Sequence, residues 1–448
     1  MMFTISRNEK LTPEIITQML TKYQTEVLPK LKTWHDYYEG KQKILFRSFQ
    51  DETKPCNNTV TNFCKNIVDI YTGYIAAPNC ISYKSDEDIT QIQEVLKYND
   101  VSAEDVALLK DALICGTGSE VMYVDYDKKI RFANVCPMSS FPIYSDDMTE
   151  DLLYFVRWTK ENDWDFDNQN YFLDVYDNVN VYHYKMIGMN GPLEPLGSDR
   201  HMFNQCPANV FHLEDEKSIF DCVMNLQDAY NETLSNQTDE IEGMSNAYLA
   251  LTGDFNIEAF KEELPEMKRN RILLLGSGCD AKWVVKDTSE TQVNTNLDRI
   301  QENIYRIACC PDFSSEKFIN GVTSGIAIKY KLTGCETRAA TVEAQMKKAL
   351  QRRIELICGF ASMVTGEEVY RDISINFERN IPEDLSSTAQ AVSTLKNIVS
   401  DETLMTLLPF IDDPKAEAEK VAKQREENES LYQKAFLSGE VTTDEEEE

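Results

Sequence analysis

Residues 216–251 constrain the fold most, because these 36 residues contain no proline and a single glycine, Gly243. Apolar residues recur at helical spacing from Ile219 to Leu251, so the pattern predicts one continuous helix, roughly 50 Å long at 1.5 Å per residue. Helices in ordinary domains are far shorter. The stretch therefore predicts an element that projects from the body of the protein.

The predicted helix has one apolar face and one uncharged polar face. The polar residues that interleave with the apolar ones are Asn225, Asn231, Ser235, Asn236, Gln237 and Thr238. A monomer has little use for a long projection with such a face. The polar face therefore predicts packing against neighbouring copies of the chain.

After this helix the sequence predicts a small cap and a return. The return helix extends from about Gln292 to Cys310 and ends at Pro311. The cap is predicted as a helix over 257–263, a strand over 271–275, the turn Gly276-Ser277-Gly278 and a strand over 281–285. The chain is thus expected to go out along one helix and come back along another.

The N-terminal part reads as helices followed by a meander of strands. Apolar residues at three- and four-residue spacing predict helices over 12–42, 59–76, 89–97 and 102–115. The period then changes to two, which predicts strands over 120–126, 130–135, 152–159, 171–176 and 179–186, followed by an irregular stretch over 188–207.

The C-terminal part reads as helical. A Gly/Ser/Thr-rich segment over 314–325 is predicted to be flexible, and Gly334 is predicted to interrupt the chain before a long helix over 336–363. Further helical segments are predicted over 382–399, 403–408 and 414–438, before an acidic tail at 444–448. The predicted fold class is α+β, mostly helical.

Composition limits the possible functions. The formal net charge of −31 argues against a surface that binds nucleic-acid phosphates by charge, so any contact with DNA must be local or transient. Twelve cysteines without a CxxC pair indicate reduced thiols in an intracellular protein. We expect no secretory segment at Met1–Thr4 and no membrane span, because apolar runs are only strand-sized.

Catalytic motifs are missing from the sequence. The four histidines share no HxxxH or HExxH spacing, and there is no GxSxG or GxxxxGK[ST]. Carboxylates at 163, 165, 167 and 174 resemble part of a calcium loop, but Asn168 stands where that loop needs glycine. An acidic surface loop is the alternative. We expect no cofactor and no catalytic residues.

Basic residues cluster on the predicted helix over 336–363, at Arg338, Lys347, Lys348, Arg352 and Arg353. They form either a basic band on an acidic body or a set of ion pairs with the chain's many carboxylates. Lys329 and Lys331 lie beside the glycine-rich segment. They are either part of a loop that touches a polyanion or ordinary surface lysines.

Several segments in order resemble the portal proteins of tailed bacteriophages, in the siphophage-type group. These segments are Tyr37–Leu45 (YYEGKQKIL), Asn62–Tyr74 (NFCKNIVDIYTGY), Asp228–Asn231 (DAYN), Ala247–Gly253 (AYLALTG), Ser324–Leu332 (SGIAIKYKL) and Arg352-Arg353. Together they cover nearly the whole chain, and none of them is a catalytic signature.

The resemblance implies a dodecameric ring at one capsid vertex, through which double-stranded DNA is packaged and ejected. It implies a wing over 1–215, stem helices over 216–251 and 290–310, a small α/β clip over 252–289, a channel loop and long wing helix over 311–380, and a helical crown over 381–448. The loop at the narrowest point would fall within 311–340. The DNA-channel candidates are then Lys329, Lys331, Arg338, Lys347 and Lys348.

The implied partners are the terminase large subunit, head-completion or adaptor proteins, and major capsid and scaffolding proteins. The implied location is the virion, after assembly in the host cytoplasm. The predicted stem helix lacks obviously basic residues, which argues against DNA contact there. Because each phosphate held by Lys or Arg would brake moving DNA, an acidic wall suits a conduit. With this resemblance, we interpret the uncharged polar face of the helix over 216–251 as part of the channel wall. Another head–tail adaptor, or a metal-dependent nucleic-acid enzyme, remains the alternative.

Overall fold

The computed structural model describes residues 3–50, 54–78, 80–85, 88–162, 164, 170–188, 191–245, 248–252, 280–284, 290–313, 325–365 and 372–379, with shorter pieces at 390, 392–396, 399–405, 417 and 420–424. The chain forms two compact units. The first contains residues 1–319 and 330–380, and the second contains 320–329 and 381–448. About half of the described residues are helical and the rest of the regular structure is β, which fits the predicted α+β class.

The predicted N-terminal helices are confirmed. They are α1 (Pro13–Lys22), a π-helical turn (Tyr23–Val27), α2 (Leu28–Tyr38), α3 (Phe63–Ile75), α4 (Thr90–Tyr98) and α5 (Val101–Cys115). Asn62 caps α3, since its Oδ1 accepts the Lys65 N–H at 3.1 Å. Gly116 ends α5 at a φ of +76°, where a Cβ would lie 2.5 Å from the Glu216 backbone.

Most strands of the first unit follow these helices and form two sheets. The strands are β1 (Phe3–Ile5), β2 (Ile81–Lys84), β3 (Thr117–Val124), β4 (Ile130–Val135), β5 (Ser140–Ser145), β6 (Leu152–Lys160), β7 (Asn170–Tyr176), β8 (Asn180–Ile187), β9 (Leu193–Arg200) and β10 (Ala208–His212). Of these, β1 precedes the helices and β2 lies between α3 and α4. One sheet has the order β1-β5-β6-β7-β8-β9 and the other has the order β10-β3-β4. The predicted β3–β4 hairpin and meander strands are confirmed.

The prediction of an irregular stretch over 188–207 is wrong. Residues 193–200 form β9, which pairs with β8 at the edge of the six-stranded sheet. Nearly every β9 residue is exposed, so the strand has no apolar alternation to reveal it. An edge strand also tolerates Pro195 and Gly197, which suggested a loop in the sequence.

One part of the core of the first unit lies between the N-terminal helices and the six-stranded sheet, and another lies between α4, the β3–β4 hairpin and the long C-terminal helix that contains Ile354 and Ile357. The Tyr23 ring, in the π-helical turn, stacks on Phe141 with ring centroids 5.3 Å apart. The same ring meets Trp158 edge-on at 5.6 Å. These buried aromatic contacts fix α1 and α2 on the strands that follow α5.

The long projecting helix is shorter than predicted. Helix α6 comprises Met224–Ser245, about 33 Å at 1.5 Å per residue. Residues 248–251, predicted as its last turn, instead belong to strand β11 (Tyr248–Thr252), antiparallel to β12 (Asp280–Val284). The alternating sequence YLALT fits either structure locally, and pairing with a distant strand decides for β. The return helix, α7 (Glu290–Ile307), is confirmed.

The prediction that Gly334 interrupts the chain is also wrong. Helix α8 comprises Gly325–Thr365 without a break, and Gly334 is exposed with nothing within 4 Å of where its Cβ would be. A glycine inside an exposed helix costs only about 1 kcal/mol, which packing elsewhere along α8 offsets. Strand β13 (Ser374–Phe377) then pairs with β2.

The predictions for 257–263, 271–275, the 276–278 turn, 314–324 and the 444–448 tail lie outside the described residues. Most of the predicted C-terminal helices also lie outside the described residues. The second unit does contain α9 (Asp401–Met405) and helical residues at 392–395 and 420–424. Within the described part, no helix is long and apolar enough to cross a membrane. The eleven cysteines described are free thiols.

Candidate functional site

Helix α6 holds the segment 57–63 through a regular series of hydrogen bonds, which we call the polar ladder. Side chains at four-residue intervals on α6 accept alternate backbone N–H groups of this segment. The pairs are Gln227 with Phe63 (3.0 Å), Asn231 with Thr61 (2.9 Å), Ser235 with Thr59 (3.0 Å) and Asp239 with Asn57 (2.6 Å). Four helical residues rise about 6.0 Å and two extended residues about 6.6 Å, so the two periods match.

The polar ladder corrects the interpretation of the polar face of α6. Gln227, Asn231 and Ser235 are 0% exposed, and they face the chain's own segment 57–63. Asn231 and Ser235 therefore cannot line a passage, whereas Asn225 and Asn236 of the same predicted face are exposed. The polar residues are needed because segment 57–63 forms no sheet, and its buried and partly buried N–H groups must find acceptors elsewhere.

Two side chains of the preceding segment tie the ladder to the N-terminal helices. Arg47 Nη2 donates to Asp239 Oδ2 at 2.6 Å and to the Asn57 carbonyl at 2.9 Å. Buried Gln42 accepts from Asn231 Nδ2 at 2.5 Å. Arg47 also donates to Asn58, and Gln42 also donates to Asn62. Through these contacts α6 is fixed on the N-terminal region along much of its length.

The base of α6 is held by α2. Tyr37 OH donates to Asp228 Oδ1 at 2.6 Å, and Lys43 Nζ donates to Asp228 Oδ2 at 2.8 Å. Burial raises the pKa of Tyr37 above its usual value, and the hydrogen bond to Asp228 raises it further. The Tyr37 hydroxyl therefore stays protonated and remains a donor at every physiological pH.

Helices α6 and α7 pack as an antiparallel pair, which we call the helical hairpin. Phe63 lies between them, with its ring 5.0 Å from that of Tyr230 on α6 and 5.7 Å from that of Tyr305 on α7. Further out, Gln237 Nε2 donates to Asn294 Oδ1 at 3.2 Å. The two helices run in opposite directions. Strands β11 and β12 lie between them in the sequence.

All five predicted channel candidates lie on α8. Lys329, Lys331, Lys347 and Lys348 are exposed, whereas Arg338 is partly buried and donates from Nη2 to the Ile219 carbonyl at 2.9 Å. Lys331 and Arg338 are seven residues apart and share a face. Lys347 is about 160° around the helix from Lys331 at 100° per residue, so these cations do not form one band.

Arg353 is buried instead of lying in a basic band. Its side chain is 0% exposed and ion-paired with Asp105 of α5 and Glu120 of β3, with Nε and Nη2 each 2.8 Å from a Glu120 oxygen. Asn209 donates to the same carboxylate at 2.7 Å, and Phe132 lies under the guanidinium at 4.6 Å. These residues form the Arg353 cluster, which fixes α8 to α5 and β3.

Burial and charge act against each other within the Arg353 cluster. Burial lowers the pKa of Arg353, but attraction to Asp105 and Glu120 exceeds that effect, and the pKa is raised well above its usual value. Burial raises the pKa of Asp105, and Arg353 only partly offsets it. Next to it on α8, Arg352 binds Gln205 and Glu355. For both arginines the ion-pair alternative is therefore confirmed.

The predicted acidic loop is only partly within the described residues. Its last carboxylate, Asp174, accepts from Arg157 Nη2 at 2.8 Å and hydrogen-bonds His183 Nδ1 at 2.7 Å. Asp174 thus belongs to a contact between neighbouring strands. Among the residues that the structure describes, no group of three or more His, Cys, Asp or Glu side chains could hold a metal ion.

The contacts above join the segments that carried the resemblance, since 37–45, 62–74 and 228–231 meet at the base of α6. A family model described as "Phage portal protein, SPP1 Gp6-like" matches residues 19–431 of the chain. A curated relative, the "Portal protein" of Bacillus phage SPP1, is 21% identical over 457 residues. The match covers 97% of this chain and 87% of the relative.

Proposed function

The chain belongs to the SPP1 Gp6-like phage portal protein family, and on that premise we propose that its copies close a ring through which double-stranded DNA enters and leaves the capsid. The family is one of structural phage proteins, so this chain is a structural protein and not an enzyme. The family match over residues 19–431 is the observation that carries the proposal.

We propose a ring of twelve copies at one capsid vertex. The helical hairpin would form the stem within 216–251 and 290–310, and the segment 252–289, which includes part of the β11–β12 ribbon, would form the clip at its tip. The wing would comprise 1–215 with 311–380, and the crown would begin at 381. The hairpin and its ribbon support this division, because two long antiparallel helices flank a β ribbon in the chain order that the resemblance implies for stem and clip.

The charge of α6 supports a passage that DNA does not bind. Its 22 residues include five carboxylates and no Lys or Arg; Asp228 and Asp239 are paired with Lys43 and Arg47, which leaves Glu232, Glu240 and Glu242 for an acidic surface. Each phosphate contact held by a cation would have to be broken as DNA moves, and counterions would be released and recaptured at every step. An acidic wall avoids this cost and lets a duplex slide.

DNA would then contact cations only at the narrowest part of the passage. We propose that Lys329 and Lys331 touch DNA at the narrowest part of the passage, with Arg338, Lys347 and Lys348 as weaker candidates. Exposure of the four lysines supports this role, whereas the bond from Arg338 to the Ile219 carbonyl uses part of its donor capacity.

The partners follow from the same proposal. The terminase large subunit would dock at the clip during packaging, and head-completion proteins would bind there afterwards. Capsid and scaffolding proteins would contact the wing. Assembly would take place in the host cytoplasm, and the mature location would be the portal vertex of the virion.

Electron-microscope class averages of the purified full chain test the ring. We expect rings with a central hole and about twelve-fold symmetry. A monodisperse monomer or dimer that persists at high protein concentration and high salt would contradict the proposal.

The lysine assignment has its own test. The double substitution Lys329→Ala and Lys331→Ala should leave ring assembly intact while changing the amount of DNA packaged or retained. Lys347→Ala provides a control on the same helix, with a smaller expected effect. Normal packaging in the double variant would remove the assignment of these two lysines.

A further inference from the structure

The helical hairpin has one exposed face on each helix. On α6, Glu232 is exposed and lies about 140° around the helix from Gln237, which contacts α7. On α7, Arg299 is exposed and lies about 140° around from Asn294, which contacts α6. Glu232 and Arg299 therefore point away from the partner helix, on opposite sides of the hairpin.

These two charges also lie at the same level along the hairpin. The hydrogen bond between Gln237 and Asn294, 3.2 Å long, sets the level of the two antiparallel helices. Glu232 lies five residues from Gln237 and Arg299 lies five residues from Asn294, both toward the base. Each is displaced by about 7.5 Å along the hairpin, so no axial offset separates them.

Neither charge is neutralised within the part of the chain that the structure describes. Other carboxylates of α6 have partners there: Asp228 binds Lys43 and Asp239 binds Arg47. The side chains of Glu232 and Arg299 make no ion pair or hydrogen bond with any described residue. Arg299 borders a surface groove of about 390 Å³, lined otherwise by Thr291, Gln292, Thr295 and Asn296, which are small or uncharged.

We propose that Arg299 of one copy pairs with Glu232 of the next copy around the ring. A ring requires two different, complementary faces on each subunit, and the hairpin exposes Arg299, one turn from Glu302, on the outer side of α7 and Glu232 on the outer side of α6. Rotation about an axis along the hairpin brings these faces together with both charges at one height. The inference rests on the proposed function, since it needs a closed ring.

Counting residues from the Gln237–Asn294 hydrogen bond also identifies a control residue on the same face of α7. Arg306 lies twelve residues beyond Asn294, and the residue twelve before Gln237 is Asn225. Arg306 is exposed and donates to Asn303 at 2.6 Å, but a neutral amide stands opposite it in the proposed contact. Reversing the charge of Arg306 should therefore affect assembly much less than reversing that of Arg299.

Charge reversal in the full-length protein tests the pair. Arg299→Glu and Glu232→Arg should each raise the concentration needed for half-maximal ring formation by on the order of tenfold, because each places like charges together at every interface. The double variant, with both charges exchanged, should return to within about threefold of wild type. Arg306→Glu should also stay within about threefold, and thermal unfolding of the monomers should be unchanged throughout. Mass photometry gives the ring fraction.

Each other outcome overturns the inference in a recognisable way. Single variants that assemble normally would remove the contact but leave the ring in place. A double variant that fails to recover would show that the two residues do not meet. Normal rings of Arg299→Glu that package less DNA would assign Arg299 to the passage. Wild-type protein that forms no ring at all would remove the proposed function itself.

Discussion

Two regions of the first unit each hold a long helix in place, one through buried charges and the other mainly through neutral hydrogen bonds. The Arg353 cluster fixes α8 with one cation and two carboxylates, all of them almost fully buried. The polar ladder fixes α6 mainly through neutral side chains that accept backbone N–H groups at regular intervals. The first fastening is concentrated at one point, and the second is spread along more than three turns of helix.

The difference teaches how each fastening can fail. A buried charge is stable only with its partners, so losing one member of the Arg353 cluster leaves an uncompensated charge in the interior. The ladder loses one hydrogen bond at a time, and its loss is graded. The ladder also sets register, because a shift of one residue along segment 57–63 would move every N–H away from its acceptor. We expect the cluster to contribute stability and the ladder to position α6.

The largest effect is expected from Arg353→Met. This change leaves Asp105 and Glu120 buried side by side without a cation, and the free energy of unfolding should fall by about 3–5 kcal/mol. Urea denaturation measures it, with Lys347→Met as the exposed control on the same helix, expected within about 0.5 kcal/mol of wild type. A loss below about 1 kcal/mol would mean that the cluster does not hold α8.

A smaller effect is expected from Asn231→Leu in the polar ladder. The substitution leaves the Thr61 N–H and the Gln42 side-chain oxygen unsatisfied, and it should cost about 2–3 kcal/mol in the same denaturation assay. Asn225→Ala, on the exposed face of α6, is the matched control and should be nearly neutral. Equal losses for the two variants would contradict the ladder.

Ser235→Ala should have a still smaller and local effect. It removes one acceptor, that of the Thr59 N–H, and should cost about 1 kcal/mol. Amide hydrogen exchange should accelerate at Thr59 and change little at Thr61, whose acceptor on Asn231 remains. Acceleration along the whole segment 57–63 would mean that the ladder opens as one unit and is not graded.

The smallest expected effect is a difference between the Arg353 cluster and the polar ladder in how the free energy of unfolding depends on pH. Because burial raises the pKa of Asp105, the folded state binds its proton more tightly than the unfolded state does. Its contribution to stability is therefore lost as the pH rises from the unfolded pKa, about 4, through the raised folded value. Asp105→Asn should flatten that part of the curve of unfolding free energy against pH. Ser235→Ala should lower the curve without changing its slope, and identical slopes for both variants would contradict the assignment.

Much of the fold was predictable from local patterns. Apolar spacing predicted the helices between Pro13 and Cys115 and the return helix α7, because each buries one continuous face. The pattern failed for β9, which is exposed on both sides, and for residues 248–251, where a strand partner about thirty residues away decides the structure. Periodicity reports burial, so it cannot detect elements that bury little or that depend on a distant pairing.

The site was less predictable. The polar residues of α6 were visible in the sequence, and their four-residue spacing at Gln227, Asn231, Ser235 and Asp239 was a usable signal. Their partner segment 57–63 was not, since it lies more than 160 residues away and forms no sheet. Arg353 likewise looked like a surface cation, and only the fold brings Asp105 and Glu120 to it.

The amino-acid sequence by itself determined the family, the net negative charge, the N-terminal helices with the hairpin and meander strands that follow them, and an outgoing and a returning helix. The tertiary structure alone decided which polar groups are buried and what each one contacts. The physical reason is that helix formation and net charge depend on neighbours along the chain. A hydrogen bond or ion pair depends on atoms brought within about 3 Å from segments far apart in sequence.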